Sequence, residues 1–186
     1  MILSEDHKMI RDMAHDFCRD KLAPGAEERS RNKIFPKGLL QEMGGLGLLG
    51  MLIPEKWGGS DVGALGLVLA MEEIAAADGA CSTIISAHSS PVTTALLSYG
   101  TDDQKEKWLK PLASGQQVGA FALTEPAAGS DASAVKTKAV RDGDDWVING
   151  SKQFITSGQH AGAVLVFAVT DPAAGKKGLS AFVVSP

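Results

Sequence analysis

Gly115-Gln-Gln-Val-Gly-Ala-Phe-Ala-Leu-Thr-Glu-Pro-Ala-Ala-Gly-Ser-Asp131 is the stretch in which the chain changes its hydrophobic period. Before it, apolar residues recur at roughly the 3.6-residue spacing of helices, and after it they alternate as in strands. Gln117–Leu123 reads as a strand running into a turn at Pro126. The chain therefore divides into an all-helical domain, residues 1–115, and a β domain, residues 116–186, an α+β arrangement with its two classes segregated along the sequence.

Upstream, Met9, Ile10, Met13, Ala14, Phe17 and Cys18 give Ser4–Leu22 a helical stripe, with Ser4 as N-cap and Pro24 past the end. A short helix spans Pro36–Met43 and stops at Gly44-Gly45. Val62–Ala77 and Cys81–Tyr99 carry few charges, which predicts two helices buried on most sides. Thr101 and Gln104 fit a capping box that opens a helix to about Ala113.

Downstream, Val135–Arg141 alternates, and Asp142-Gly143-Asp144 turns the chain. Trp146–Ile148 and Lys152–Ile155 flank Asn149-Gly150, a strong hairpin signal because a type I′ turn needs positive φ at both centres. Ala163–Val169 and Leu179–Val184 add two strands. The pattern predicts an antiparallel, barrel-like β domain. Since the chain stops just after the apolar strand Leu179–Val184, it further predicts a truncated domain that needs more chain to cover that edge.

Composition narrows the function. Eighteen basic against 22 acidic residues give a net charge of −4, which favours neither nucleic acid nor an anionic membrane as partner. No apolar run is long enough to span a bilayer. The N-terminus lacks a secretory pattern, and Cys18 and Cys81 read as buried free thiols, so a cytoplasmic location is expected.

Several motifs fail on context. Gly45-Leu-Gly47-Leu-Leu-Gly50 matches a dinucleotide fingerprint, but a helix precedes it and Pro54 follows, so it reads as a glycine-rich helix exit. His7 and His15 lack zinc-pair spacing, His88 reads as a structural histidine, and His160 has no partner at ligand spacing. No metal is assigned.

The residues from 121 to 131 could build a site. Thr124 places a hydroxyl at a strand end, and Pro126 fixes the turn after Glu125. Gly129 lets the backbone approach a ligand, Ser130 adds a hydroxyl and an N–H, and Asp131 can pin the loop. By spacing alone this is an ordinary strand-to-turn transition, more often structural than catalytic, and Phe154 is a core aromatic.

Taken together, however, Ala122-Leu-Thr-Glu-Pro-Ala-Ala-Gly-Ser-Asp131 resembles the signature of the acyl-CoA dehydrogenase family. Ile53-Pro-Glu-Lys-Trp-Gly-Gly59, Met71-Glu-Glu-Ile-Ala75, Gly100-Thr-Asp-Asp-Gln-Lys105, Asn149-Gly150 and Gln153-Phe-Ile-Thr156 resemble further family positions in the same order. The resemblance covers essentially the whole chain.

It implies FAD as cofactor and α,β-desaturation of an acyl-CoA, with hydride transfer to flavin N5. It places Leu123 and Thr124 on the flavin pyrimidine, with Phe121 close by. Gly129 and Ser130 fall on the pyrophosphate, and Ser130 also on the acyl-CoA. Phe154, where many members carry Trp, falls beside the flavin ring, and Thr156 on N5. Ser86–Leu96 matches the acyl-pocket region, with a start more like short-chain members, which implies a short or branched acyl group. An electron-transferring flavoprotein and a homotetramer, built as a dimer of dimers, are the implied partners.

The family keeps its catalytic base, usually a Glu, in a C-terminal helical domain beyond residue 186, and Glu125 belongs to the signature loop. No catalytic residue is therefore expected in this chain. The alternative is a non-catalytic flavin- or acyl-CoA-binding fragment or assembly subunit.

Overall fold

The computed structural model describes residues 3–185. The chain forms two compact units, residues 1–118 and 119–186.

In the helical unit, α1 (Glu5–Phe17) starts where the Ser4 hydroxyl accepts the His7 N–H, with Glu5 and Asp6 favourably placed in the first turn. It continues into a π-turn, Cys18–Leu22. A short helix that the sequence reading did not include, α2 (Ala26–Asn32), follows between two left-handed residues, Gly25 and Lys33. It buries none of its residues, so it lacks the apolar stripe that marks a helix in sequence. α3 (Lys37–Gly45) leads through a left-handed Gly47 into the glycine-rich exit, as expected of Gly45–Gly50.

α4 (Gly63–Ala77) buries Gly66, Ala70 and Ile74 at four-residue spacing, but Val68 on its other side is 52% exposed. The expectation of burial on most sides is corrected here: one face enters the core and the other lines a groove. α5 (Gly79–Ala87) begins earlier than its apolar pattern, because the Asp78 carboxylate accepts the Ala80 and Cys81 N–H groups. The stretch expected as a single helix to Tyr99 holds a π-turn, His88–Thr93, before α6 (Thr94–Tyr99). Pro91 lies inside that turn, and its missing N–H explains the departure from α geometry.

The capping box of Thr101 and Gln104 is formed, opening α7 (Asp102–Gln104). A third π-turn, Lys105–Leu109, leads into α8 (Lys110–Ala113). Leu22, Leu40, Met43, Leu48, Leu49, Ile74 and Ile85 form the heart of the core. Where α3 meets the loop after α8, Gly44 and Gly115 are in backbone contact.

The β unit holds a five-stranded sheet of β1 (Gly119–Ala122), β2 (Lys138–Asp142), β3 (Asp145–Asn149), β4 (Ala163–Val169) and β5 (Leu179–Val184). The path is β1-β4-β2-β3, with β5 also on β4. Two pairings, β1 with β4 and β2 with β4, are parallel, whereas β2–β3 and β4–β5 are antiparallel. The sheet is thus mixed and open, which corrects the antiparallel, barrel-like expectation. Between β1 and β4 the chain makes a long excursion over residues 123–162, and such a crossover brings it back in the same direction.

The Asn149-Gly150 hairpin is also corrected. The turn expected at Asp142–Asp144 closes the β2–β3 hairpin, but no second hairpin follows at Asn149-Gly150, because residues 152–155 are not a strand. Gly150 has ordinary φ, and a Cβ there would collide with the Thr137 side chain, so glycine serves close packing and not a turn.

Candidate functional site

β1 ends at Ala122, and the chain then makes a tight turn in which Glu125 and Ala128 exchange backbone hydrogen bonds, N–H to O, at 2.7 and 3.2 Å. Pro126 supplies the fixed φ that this turn needs. Asp131 accepts the Ser133 N–H at 3.0 Å and its hydroxyl as well, pinning the end of the loop as its position predicts.

Glu125 is the buried centre of the loop. Its carboxylate accepts the Lys136 N–H at 2.7 Å, the Thr137 N–H at 3.0 Å and the Thr137 hydroxyl, which secures the approach to β2. The Lys152 ammonium lies 2.8 Å from the same carboxylate. Burial alone would push this carboxyl up; Lys152 first, then Thr137 and Lys136, outweigh burial and hold it at about 2.

The segment after β3 is bracketed to this strand end. Lys152 donates to the Leu123 carbonyl at 2.9 Å, the Gln153 N–H to the Thr124 carbonyl at 3.0 Å, and the Gln153 side chain to the Glu125 carbonyl at 3.2 Å. Beyond the bracket, Phe154 adopts a left-handed φ of 57° and is 88% exposed. An aromatic residue in that conformation, with its ring in solvent, is disfavoured on both counts. Phe154 is therefore not the core aromatic that spacing alone describes.

Thr156 follows, half-buried, and then Ser157, also left-handed. The Ser157 hydroxyl is buried and has no hydrogen-bond partner among the described residues. At Gly129 a Cβ would meet only the Thr124 methyl, at 3.9 Å. No neighbour among the described residues requires glycine there.

The bracket thus ties the segment that runs on to Phe154 and Thr156 to the strand end at Leu123 and Thr124, with Gly129, Ser130 and Asp131 on the loop leaving that end. Phe121 lies on β1 and is half-buried, its ring 5.1 Å from that of Phe167. Lys152 and Gln153 were legible only as strand residues, because the bonds that give them meaning span the β2–β3 hairpin.

In the helical unit, a groove of about 760 Å³ is lined by Leu67, Met71 and Ala75 of α4, Ser86 and Ala87 of α5, and Pro91 of the π-turn. His88, in the same segment, is fully buried, with Nε2 3.2 Å from the Leu49 carbonyl. Burial pushes its ring down to about 4, although the Leu49 and Leu112 carbonyls favour the charged form. It is structural, as expected. Burial likewise raises the Cys18 and Cys81 thiols to about 11 and about 12, so neither is a ready nucleophile. His15 pairs with Glu73 at 2.8 Å. Among the described residues no His, Cys, Asp and Glu group of three or more could hold a metal, and no helix is long and apolar enough to cross a membrane.

Comparison with known proteins gives the site its context. The model of the acyl-CoA dehydrogenase N-terminal domain matches residues 4–116, and that of the middle domain matches residues 120–186. The mitochondrial short-chain specific acyl-CoA dehydrogenase of Homo sapiens is 42% identical over 182 residues, 98% of this chain and 44% of that protein. Butyryl-CoA dehydrogenase from Megasphaera elsdenii superposes with a TM-score of 0.93 at 40% identity, covering 100% of this chain and 49% of that one. A chain from the structure of the electron transferring flavoprotein of Acidaminococcus fermentans reaches 0.97 at 44% identity, covering 100% and 49%. The chain spans about half the length of these relatives. With matches to both domains in order and across nearly all its residues, the chain belongs to the acyl-CoA dehydrogenase family.

Proposed function

We propose that this chain forms the FAD- and acyl-CoA-binding part of an acyl-CoA dehydrogenase that introduces an α,β double bond into a short or branched acyl-CoA. The observation that carries the reading is Phe154: an exposed, left-handed aromatic side chain bracketed onto the strand end at Leu123 and Thr124. The fit to a flavin rests on three further features. Gly129 leaves open space for a pyrophosphate, Ser130 offers donors beside it, and the orphaned Ser157 hydroxyl adjoins Thr156.

In this reading Leu123 and Thr124 bind the flavin pyrimidine, with Phe121 nearby, and Gly129 and Ser130 bind the pyrophosphate. Phe154 covers the ring system, Thr156 donates towards N5, and Ser130 also meets the acyl-CoA. FAD, when bound, supplies the two-electron acceptor that desaturation of a thioester requires. The chain's own residues orient, exclude water and present donors where negative charge develops. Phe in place of the Trp of many members keeps an apolar face but offers no indole N–H.

No residue of this chain is proposed as the base. Glu125 is ionised, and its oxygens are engaged by Lys152, Thr137 and Lys136, so it is not free to take a substrate proton. That same engagement favours a second reading, a flavin- or acyl-CoA-binding module without turnover. The similarity to short-chain and butyryl-CoA enzymes supports a short acyl group in the groove beside Ser86 and Pro91. An electron-transferring flavoprotein as electron acceptor, a homo-oligomer and a reducing, cytoplasmic setting for the free thiols complete the proposal.

The test is a visible absorption spectrum of the purified chain after gel filtration with FAD. A perturbed flavin band eluting with the protein supports the site; FAD eluting free overturns it for this chain. In the loaded protein, butyryl-CoA should perturb the band at lower concentration than octanoyl-CoA. The reverse order removes the short-chain assignment.

A further inference from the structure

We propose that Lys152 is a positioning residue that polarises the Leu123–Thr124 peptide, strengthening the donor that this peptide offers to the flavin. The inference rests on the reading of Leu123 and Thr124 as pyrimidine contacts.

Three consecutive carbonyls, of Leu123, Thr124 and Glu125, accept hydrogen bonds from two consecutive residues, Lys152 and Gln153. A neutral donor would suffice to hold such a bracket together, as Gln153 does for two of the three. At the Leu123 carbonyl the donor is instead an ammonium group, 12% exposed, with the 5% exposed Glu125 carboxylate 2.8 Å from it. Burying this pair carries a desolvation cost that an apolar filler would avoid, and it leaves a charged donor fixed against the Leu123 carbonyl.

The electrostatics give that donor a role. The peptide bond is conjugated, so electron density drawn onto the Leu123 oxygen leaves the nitrogen of the same unit, that of Thr124, more positive. Gln153 acts in the same sense on the next peptide through the Thr124 carbonyl. Ladder pairing of β1 ends at Ala122, so the Thr124 N–H lies beyond the sheet's own partners. A polarised donor at that place stabilises negative charge on the flavin pyrimidine more in the reduced state than in the oxidised one, and so raises the reduction potential. Little water reaches the pair, so screening does not erase the effect.

Opposite signs test this. Lys152→Met removes the ammonium and leaves Glu125; Glu125→Gln leaves the ammonium uncompensated; Lys152→Arg retains a charged donor. The readouts are the Thr124 amide proton resonance in the isotope-labelled chain without FAD and the reduction potential of the FAD-loaded protein. We expect Lys152→Met to move the amide proton upfield and lower the potential, Glu125→Gln to do the opposite in both, and Lys152→Arg to stay near wild type. Should Lys152→Met not fold, the upward shifts of Glu125→Gln and the retention in Lys152→Arg carry the test. Shifts of the same sign in the Met and Gln variants, or none, overturn the proposal and leave Lys152 as a staple. Failure of the wild-type chain to bind FAD overturns the flavin reading separately, because the amide shifts need no cofactor.

Discussion

Gly44 and Gly115 approach so closely that a Cβ built on either would stand 2.5 Å from the Cα of the other. Backbone, not a flexible side chain, blocks the space, and the Ser114 carbonyl would stand 2.6 Å from the Gly44 Cβ. Gly44→Ala should therefore destabilise the chain by about 2–3 kcal/mol, as overpacking does in closely packed cores. Gly38→Ala, in the same helix but with nothing within 4 Å, should instead stabilise it by up to about 1 kcal/mol. Urea denaturation of the two variants checks the contrast.

His88 should make the fold acid-sensitive at mild pH. Its folded value, about 4, lies below the ordinary histidine value of 6.5, so the unfolded chain binds the proton more readily. The contribution is fully present above 6.5 and is lost as pH falls towards about 4. Stability profiles of the wild type and of His88→Asn should converge or cross in that window, and parallel profiles would contradict the assignment.

Glu125 governs a lower window. Its folded value of about 2 lies below 4.5, so its contribution is complete above 4.5 and disappears as pH falls to about 2. The linked loss is on the order of 3 kcal/mol. Acid unfolding monitored by circular dichroism should be steeper below pH 4.5 for the wild type than for Glu125→Gln.

Phe154 separates stability from binding. Its left-handed φ of 57° costs a non-glycine residue about 1–2 kcal/mol, and 88% exposure means that little burial is lost on truncation. After the entropy cost of glycine, Phe154→Gly should range from neutral to about 1 kcal/mol more stable. The same variant should bind FAD more weakly. Thermal melts and FAD titration read the two effects, and a Phe154→Gly chain that loses stability would return the side chain to a structural role.

The sequence reveals most where the deciding interaction is local. Ser4 and Thr101 announce their helices because a cap acts within three residues, and the change of period near Gly115 needs only neighbours. Asn149-Gly150 misleads because the requirement on Gly150 comes from Thr137, across the hairpin, and not from its own dihedrals. The parallel pairing of β1 with β4 depends on where a long excursion returns, which no alternation pattern encodes. On α4, an apolar face can mean core or groove, and hydropathy does not distinguish them. The loop 121–131 is recognisable from its residues, but Lys152 enters the site only through bonds that skip an entire hairpin.

The three π-turns, Cys18–Leu22, His88–Thr93 and Lys105–Leu109, each place one surplus residue in an otherwise α-helical run. In continuous α geometry an added residue would rotate everything beyond it by roughly 100° about the helix axis, whereas the wider turn takes up the extra residue and keeps the helix beyond it in phase. These are therefore the points where a single-residue deletion can be absorbed by restoring ordinary α geometry, leaving the packing of the helix on both sides of the turn in phase. At His88–Thr93 the turn itself supplies Ser90 and Pro91 to the groove wall, so a change of length there would reshape the groove locally without rebuilding the core.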